Sequence, residues 1–318
     1  MKNNILLNSL DLIQFWSRWI KKYKWFQFTF NLTLFLLLIS FLIYYLIRDW
    51  QEISKLSLVF DINSILVAFG FYGINFYLLI IAWHLLLRSF IKSSDFKQNA
   101  IFYSYSHLYR FLPTPAWFLA SRISLYGQTG MQKGLALNTT LLETLLHMLT
   151  GLMLYGFLMI DKQRPETWLF ATFFIPVLII IQKPQWLVFP QMRDKMVKSH
   201  PSKKDIIIIC LIYLITWIVA GPFFLAVVHI ASHTSNMTVV EIFRIWILGS
   251  LIAYIGSYTL GGAGILREFS LALLLSKYFY PPMALLITIL VRLILLLAGI
   301  IWALVTMGFL RFKVIRIS

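Results

Sequence analysis

The sequence predicts an all-α polytopic membrane protein, a single domain of about eight transmembrane helices. Three observations carry that prediction. Of 318 residues, 60 % are hydrophobic and only 13 % charged, and the mean hydropathy is +0.80, a balance far from that of soluble globular domains. The apolar residues come in runs long enough to cross the hydrocarbon of a bilayer, which takes roughly 20 helical residues. Lys and Arg outnumber Asp and Glu by 28 to 12, and they lie between those runs, the pattern of cytoplasmic loops. A basic balance also suits a nucleic-acid binder, but no basic and aromatic RNA-binding module interrupts the runs, so no nucleic acid is expected as a partner. Cys210 is the only cysteine, which excludes an intramolecular disulfide. The first 24 residues hold charges and no compact apolar stretch ending in small residues, so insertion is expected to rest on the helices and not on a cleaved signal.

Residues 1–24 form the first segment. Ile5, Leu6, Leu12, Ile13, Trp16, Trp19 and Ile20 recur at helical spacing beside Arg18, Lys21, Lys22 and Lys24, which predicts a basic amphipathic helix on the cytoplasmic leaflet; a frayed basic tail is the alternative. The transmembrane domain takes 25–310. Its first span is 25–47, closed by Arg48, Asp49 and the interfacial Trp50, and 62–87 returns, with His84 and Arg88 snorkelling at its inner end. From 98 to 133 the chain is broken by Arg110, Pro113, Pro115, Arg122, Gly127 and Gly130. Thr114 is placed to cap a half-helix that starts at Pro115, carries Trp117, Leu119 and Arg122, ends near Gly127 and re-enters from the cytoplasmic side.

The third span is 135–160, with Glu143 and His147 on one helical face. Residues 168–181 return inward to the most basic loop, 183–204; 206–230 crosses outward and 242–260 inward. The short segment 265–279 then crosses before Pro281-Pro282, and 283–310 is the final span. This gives eight crossings and one re-entrant element, a basic cytoplasmic tail at 311–318, and both termini in the cytoplasm of a multi-pass plasma-membrane protein. Were 265–279 a re-entrant hairpin instead, the tail would lie outside, against the charge rule.

One stretch stands apart from this apolar background. Gly261-Gly262-Ala263-Gly264-Ile265-Leu266-Arg267-Glu268 puts three glycines in four residues, at a helix cost of about 1 kcal/mol each, directly before a charge pair. It predicts a helix that stops and restarts, at about Ile265, beside protein or a water-filled cavity, because lipid cannot satisfy the freed backbone groups. Unpaired N–H groups of the restarting helix and Arg267 in its first turn together favour an anion, and the anion native to a membrane is a lipid phosphate. The two breaks, at 112–115 and 261–264, are each followed by an arginine, which is how a binding site made from interrupted helices reads in sequence. Ionisable groups inside spans cost about 2.5–3.5 kcal/mol each and turn inward to partners, so Arg122, Glu143, Arg267 and Arg292 become candidates. Glu143 is within reach of an ion pair with either Arg292 or Arg122; such a pair either fixes helix register or orients arginines toward phosphate. Glu268 beside Arg267 has the same choice, or answers the dipole of the restarting helix.

Tyr109-Arg110-Phe111-Leu112-Pro113 with Trp117 and Arg122, then Glu143, the stretch 261–268 and Arg292 resemble the flippase-like transmembrane domain of lysylphosphatidylglycerol synthases. There the first motif usually reads basic residue, aromatic, Leu-Pro-Gly, then Trp and Arg, with Thr114 here in place of the glycine; the second reads Gly-x-Gly-x-Arg-Glu. The resemblance implies a bacterial or archaeal protein that moves anionic or polyprenyl-phosphate-linked lipids between leaflets, with Arg110, Trp117, Arg122, Glu143, Gly262, Gly264, Arg267, Glu268 and Arg292 as substrate-binding residues. It covers the membrane part alone and implies no synthase activity. No cofactor, metal or catalytic residue is expected: there is no Walker motif, no Asp-x-Asp and no His-Glu-x-x-His, and His229 and His233 form too small a group. A membrane enzyme acting on a lipid phosphate, with Glu143 or Glu268 as base, and an accessory subunit working with envelope-biosynthesis proteins are the alternatives.

Overall fold

The computed structural model describes residues 61–91, 94–111, 115–161, 164–183, 201–232, 237–259 and 263–315, with a few isolated positions between 33 and 48. The amphipathic segment 1–24, most of the span at 25–47, most of the basic loop at 183–204, Leu112, Pro113, Thr114, His233, Gly261 and Gly262 lie outside the described residues. Among the described residues every regular element is helical: α1 (Ile62–Phe90), α2 (Phe96–Leu108) with a 3-10 turn Tyr109–Phe111, α3 (Pro115–Gln128), α4 (Lys133–Met159), a 3-10 helix Pro165–Phe174 leading into α5 (Ile175–Gln182), α6 (Lys203–Ala231), α7 (Val239–Thr259), α8 (Ala263–Leu275) and α9 (Pro281–Ile315). Of these, α1, α4, α6, α7 and α9 are long and apolar enough to cross a membrane. The protein is an all-α integral membrane protein.

Local chemistry sets the helix starts. Asp61 accepts from the Asn63 and Ser64 N–H groups at the head of α1, and Asp95 from Lys97 and Gln98 at the head of α2. Ser202 and Asp205 form a reciprocal capping box at α6, and Thr238 with Glu241 does the same for α7. Pro115 opens α3 and Pro281 opens α9, first-turn positions that need no N–H.

Side-chain contacts give the directions. α1 and α6 run antiparallel, with Asn75 Nδ2 donating to Thr216 O at 2.8 Å and the Tyr72 ring against Phe223. α9 runs parallel to α1: Trp302 Nε1 donates to Phe69 O and Thr306 Oγ1 donates to Tyr77 Oη. α4 and α7 are antiparallel, with His147 beside Tyr254 and the Leu158 carbonyl beside Arg244. Phe90, Leu135 and Ile206 share one core cluster, so the end of α1 and the starts of α4 and α6 lie at one end of the bundle.

Two helical hairpins enter this bundle from opposite ends. α2 rises and α3 returns beside it: Tyr126 Oη donates to Asn99 Oδ1 and Arg122 Nε to Ser106 Oγ, an antiparallel register. Both open ends of this hairpin meet α1 at the neighbouring residues Trp83 and His84, while its tip reaches Tyr72 through His107. The second hairpin is α7 and α8. A Cβ at Gly249 would lie 2.7 Å from the Leu271 side chain, a Cβ at Gly256 would strike Leu266, and Tyr278 Oη donates to Glu241 Oε1 at 2.8 Å, so the chain after the break returns along the whole of α7. Carrying the α4–α7 register on to Thr259 brings the tip of this hairpin level with Leu142 and Glu143, well inside α4.

Two details differ from the sequence expectation. The helix after the glycine break restarts at Ala263, two residues earlier than expected, because Gly264 then falls in a first turn whose N–H groups need no intrahelical partner. The return after α4 is not one α-helix: ten residues are wound as 3-10 before eight of α-helix, which at about 2.0 and 1.5 Å per residue stretches the segment to roughly 32 Å. Gly156 admits the Phe170 carbonyl at the contact with α4.

Candidate functional site

The two hairpins carry two separate charged groups. On α3, Arg122 is fully buried and forms an ion pair through Nη1 with Glu143 Oε2 of α4, while its Nε donates to Ser106 Oγ at 3.1 Å. Its guanidinium lies 3.9 Å from the Trp83 ring centre and 4.5 Å from those of Tyr103 and Phe118. Burying an ion pair costs several kcal/mol per ion, and three ring faces and a hydroxyl are what offset that cost here. Trp83 is itself fixed by donating to Tyr126 Oη at 2.7 Å, and Asn99, which accepts from Tyr126, donates on to Ser94 and His84. Of the two pairings open to Glu143 in the sequence, the fold makes the one with Arg122.

On α8, Arg267 Nη2 and Arg292 Nη1 of α9 both reach the same oxygen, Glu268 Oε1, at 3.4 and 3.3 Å. Charge-assisted bonds of good geometry are nearer 2.8 Å, so this carboxylate holds two guanidinium groups loosely. The trio carries a net single positive charge, and its side chains keep 24 %, 12 % and 36 % of their surface in the order Arg267, Glu268, Arg292. Arg267 Nε is buried without a hydrogen-bond partner.

Residues near both hairpin tips adjoin these groups. Arg110, in the turn after α2, shares one ring of the Arg122 cage, its guanidinium 4.3 Å from the Phe118 ring centre. The Tyr72 hydroxyl is within electrostatic reach of Arg110, Arg267 and Tyr254, and that of Tyr103 is within reach of Arg110, Arg122, Glu143 and Tyr254. Tyr72 also hydrogen-bonds His107 Nε2 at 2.9 Å. On the far side, His147 Nδ1 meets Tyr254 Oη at 2.8 Å and Nε2 meets Thr216 Oγ1 at 3.1 Å. Thr216 spends its own proton on Tyr213 O, so it accepts from His147, whose Nε2 therefore carries the hydrogen and whose Nδ1 accepts from Tyr254.

Of the nine residues singled out in sequence, Arg122 with Glu143 and Arg267 with Glu268 and Arg292 come together as two groups, with Arg110 beside the first through Phe118. Trp117 is 47 % exposed on α3, beside the buried Phe118. Gly264 sits in the first turn of α8, and Gly262 lies outside the described residues. Sequence reasoning missed Tyr72, Trp83, Tyr103, Ser106 and Phe118. Aromatics in apolar helices read as core or interface belt; the one signal the sequence offers is the spacing of Tyr103 and His107, one helical turn apart, and the two rings are stacked in the structure. Among the described residues no group of three or more His, Cys, Asp or Glu could hold a metal ion.

Fold and charges together define a helical membrane protein in which two opposed hairpins bring arginines into the helix bundle. Compared with known proteins, the sequence matches no family model and no curated protein.

Proposed function

We propose that this protein is a lipid transporter, related to the flippase-like domain of lysylphosphatidylglycerol synthases, that carries an anionic lipid headgroup between leaflets through the region framed by the two hairpin tips. The observation that carries the reading is the trio of Arg267, Glu268 and Arg292: two partly exposed guanidinium groups on one carboxylate oxygen, set within apolar helices. A net positive charge at that depth is costly without a counter-ion, and a lipid phosphate is the anion that a bilayer offers at every turn. Arg110 and Arg267 both act electrostatically on Tyr72, and the N-terminal turn of α8 adds positive potential of its own. Interrupted helices meeting near the midplane are the architecture that transporters use for such a task. The tails remain in the bilayer, and no covalent step is needed. The bundle end that holds Arg88, Lys133, Lys203 and Lys204 faces the cytoplasm of the plasma membrane by the charge rule.

The test is reconstitution in phosphatidylcholine vesicles with a fluorescent phosphatidylglycerol, following the label that becomes accessible to an external quencher. Wild-type protein exposes the inner-leaflet label, and Arg267→Ala does not. Equal exposure with and without protein, or with and without Arg267, refutes the reading.

A further inference from the structure

The pair Arg122–Glu143 has a polar surround that neither its own salt link nor the trio uses. The Tyr103 and Tyr213 hydroxyls and Arg122 Nη2 are all buried and all lack a hydrogen-bond partner. They come from three helices, α2, α6 and α3, and all interact electrostatically with or across Glu143 of a fourth, α4. Three orphaned donors around one carboxylate are costly if dry, and a site with that many polar partners favours water. Of the carboxylate's two oxygens, Oε2 takes the guanidinium and Oε1 receives no bond from a described residue, while the side chain keeps 4 % of its surface.

We propose that Glu143 is a proton-binding site served by this internal polar chamber, and that an anionic lipid and a proton bind together. This rests on the transport reading above. Arg122 can neutralise one anion at a time. When a headgroup oxygen reaches its guanidinium from the side of Arg110, with which Arg122 shares the Phe118 ring, Glu143 loses its counter-ion. A carboxylate left alone in a low-dielectric interior takes a proton from solution, relayed through the water of the chamber, on Oε1. The charge balances: guanidinium, carboxylate, anion and proton become guanidinium with anion and a neutral carboxyl, so the loaded site is no more charged than the empty one. The titratable and charged groups that face Glu143 are Arg122 from α3, Tyr103 from α2 and Tyr213 from α6, with Arg110 and Tyr254 beyond Tyr103, Cys210 beyond Tyr213, and His147 one turn on along α4, against Tyr213. Arg122 alone among them is a cation in contact, so the pair behaves as a two-position switch.

Two measurements test this on the full chain in phosphatidylcholine nanodiscs. Titration with phosphatidylglycerol in weakly buffered solution should take up about one proton per lipid bound, and infrared difference spectra should gain the carbonyl band of a protonated carboxyl that Glu143→Gln lacks. Because Glu143→Gln can fail to fold, the proton count on the wild-type protein stands by itself. Lipid binding without proton uptake overturns the proposal and leaves the transport reading standing; no lipid binding at all overturns both. In sealed vesicles, one-to-one coupling further predicts a leaflet ratio of labelled lipid that shifts about tenfold per unit of imposed pH difference. A ratio indifferent to that gradient overturns the proposal.

Discussion

Glu143→Leu should destabilise this protein far more than a surface substitution. The fully buried Arg122 has Glu143 as its ion-pair partner, and guanidinium cannot shed its proton, so the variant leaves a bare charge in the bundle. Breaking a buried pair from one side costs about 3–5 kcal/mol. The rings of Trp83, Tyr103 and Phe118 remain, each contributing up to about 2 kcal/mol to a desolvated cation, which places the expectation toward the lower end, about 3 kcal/mol. Adding Arg122→Met to that variant removes the charge and keeps an apolar chain among the rings. The double variant should then recover about 2 kcal/mol, a coupling measurable in a double-mutant cycle. The assay is equilibrium unfolding in mixed micelles, read by tryptophan fluorescence and far-ultraviolet circular dichroism. A loss below about 1 kcal/mol in Glu143→Leu, or a double variant no more stable than the single, would refute the description of Arg122 as a buried cation that depends on one carboxylate.

Three other outcomes follow from the geometry. Arg267→Ala and Arg292→Ala should each weaken phosphatidylglycerol binding about tenfold or more, since a hydrogen bond to a charged group contributes roughly 1.5–3 kcal/mol, whereas Glu268→Gln should tighten it by freeing both guanidinium groups; equilibrium binding in nanodiscs reads the opposite signs. Gly151→Val should cost about 1–3 kcal/mol and shift the tryptophan emission, because its Cβ would lie 2.6 Å from the Trp217 ring, which stacks on His147 and donates to its carbonyl at 2.9 Å. Gly249→Cys with Leu271→Cys should form an intramolecular disulfide on mild oxidation, seen as a mobility shift reversed by reductant; failure to cross-link would contradict the antiparallel return of α8 along α7.

How much of this was legible beforehand differs between fold and site. Hydropathy placed the five long helices within a few residues, since a bilayer imposes length and apolarity on any helix that crosses it. Pro115 was read correctly as the head of a half-helix, and the break after Thr259 was legible from its glycines. The 3-10 winding of Pro165–Phe174 was not, because an apolar run without periodicity looks the same in either winding. Which carboxylate takes which arginine was equally hidden. Glu143 lies about as far into its helix as Arg292 lies into the last one, and linear position says nothing of the angle at which helices cross.

By itself, then, the sequence determined the class of protein, the positions of five membrane-length helices and the identity of the charges that a membrane makes expensive. Those follow from local composition, because transfer into hydrocarbon is priced residue by residue. Tertiary structure alone decided that α2–α3 and α7–α8 come in from opposite ends, that Arg122 is caged by three rings against Glu143, and that Arg267 and Arg292 share Glu268. Each of those is a meeting of residues far apart in the chain. It is set by helix packing and by the need to pair every buried charge across the whole bundle, and no window of sequence contains that information.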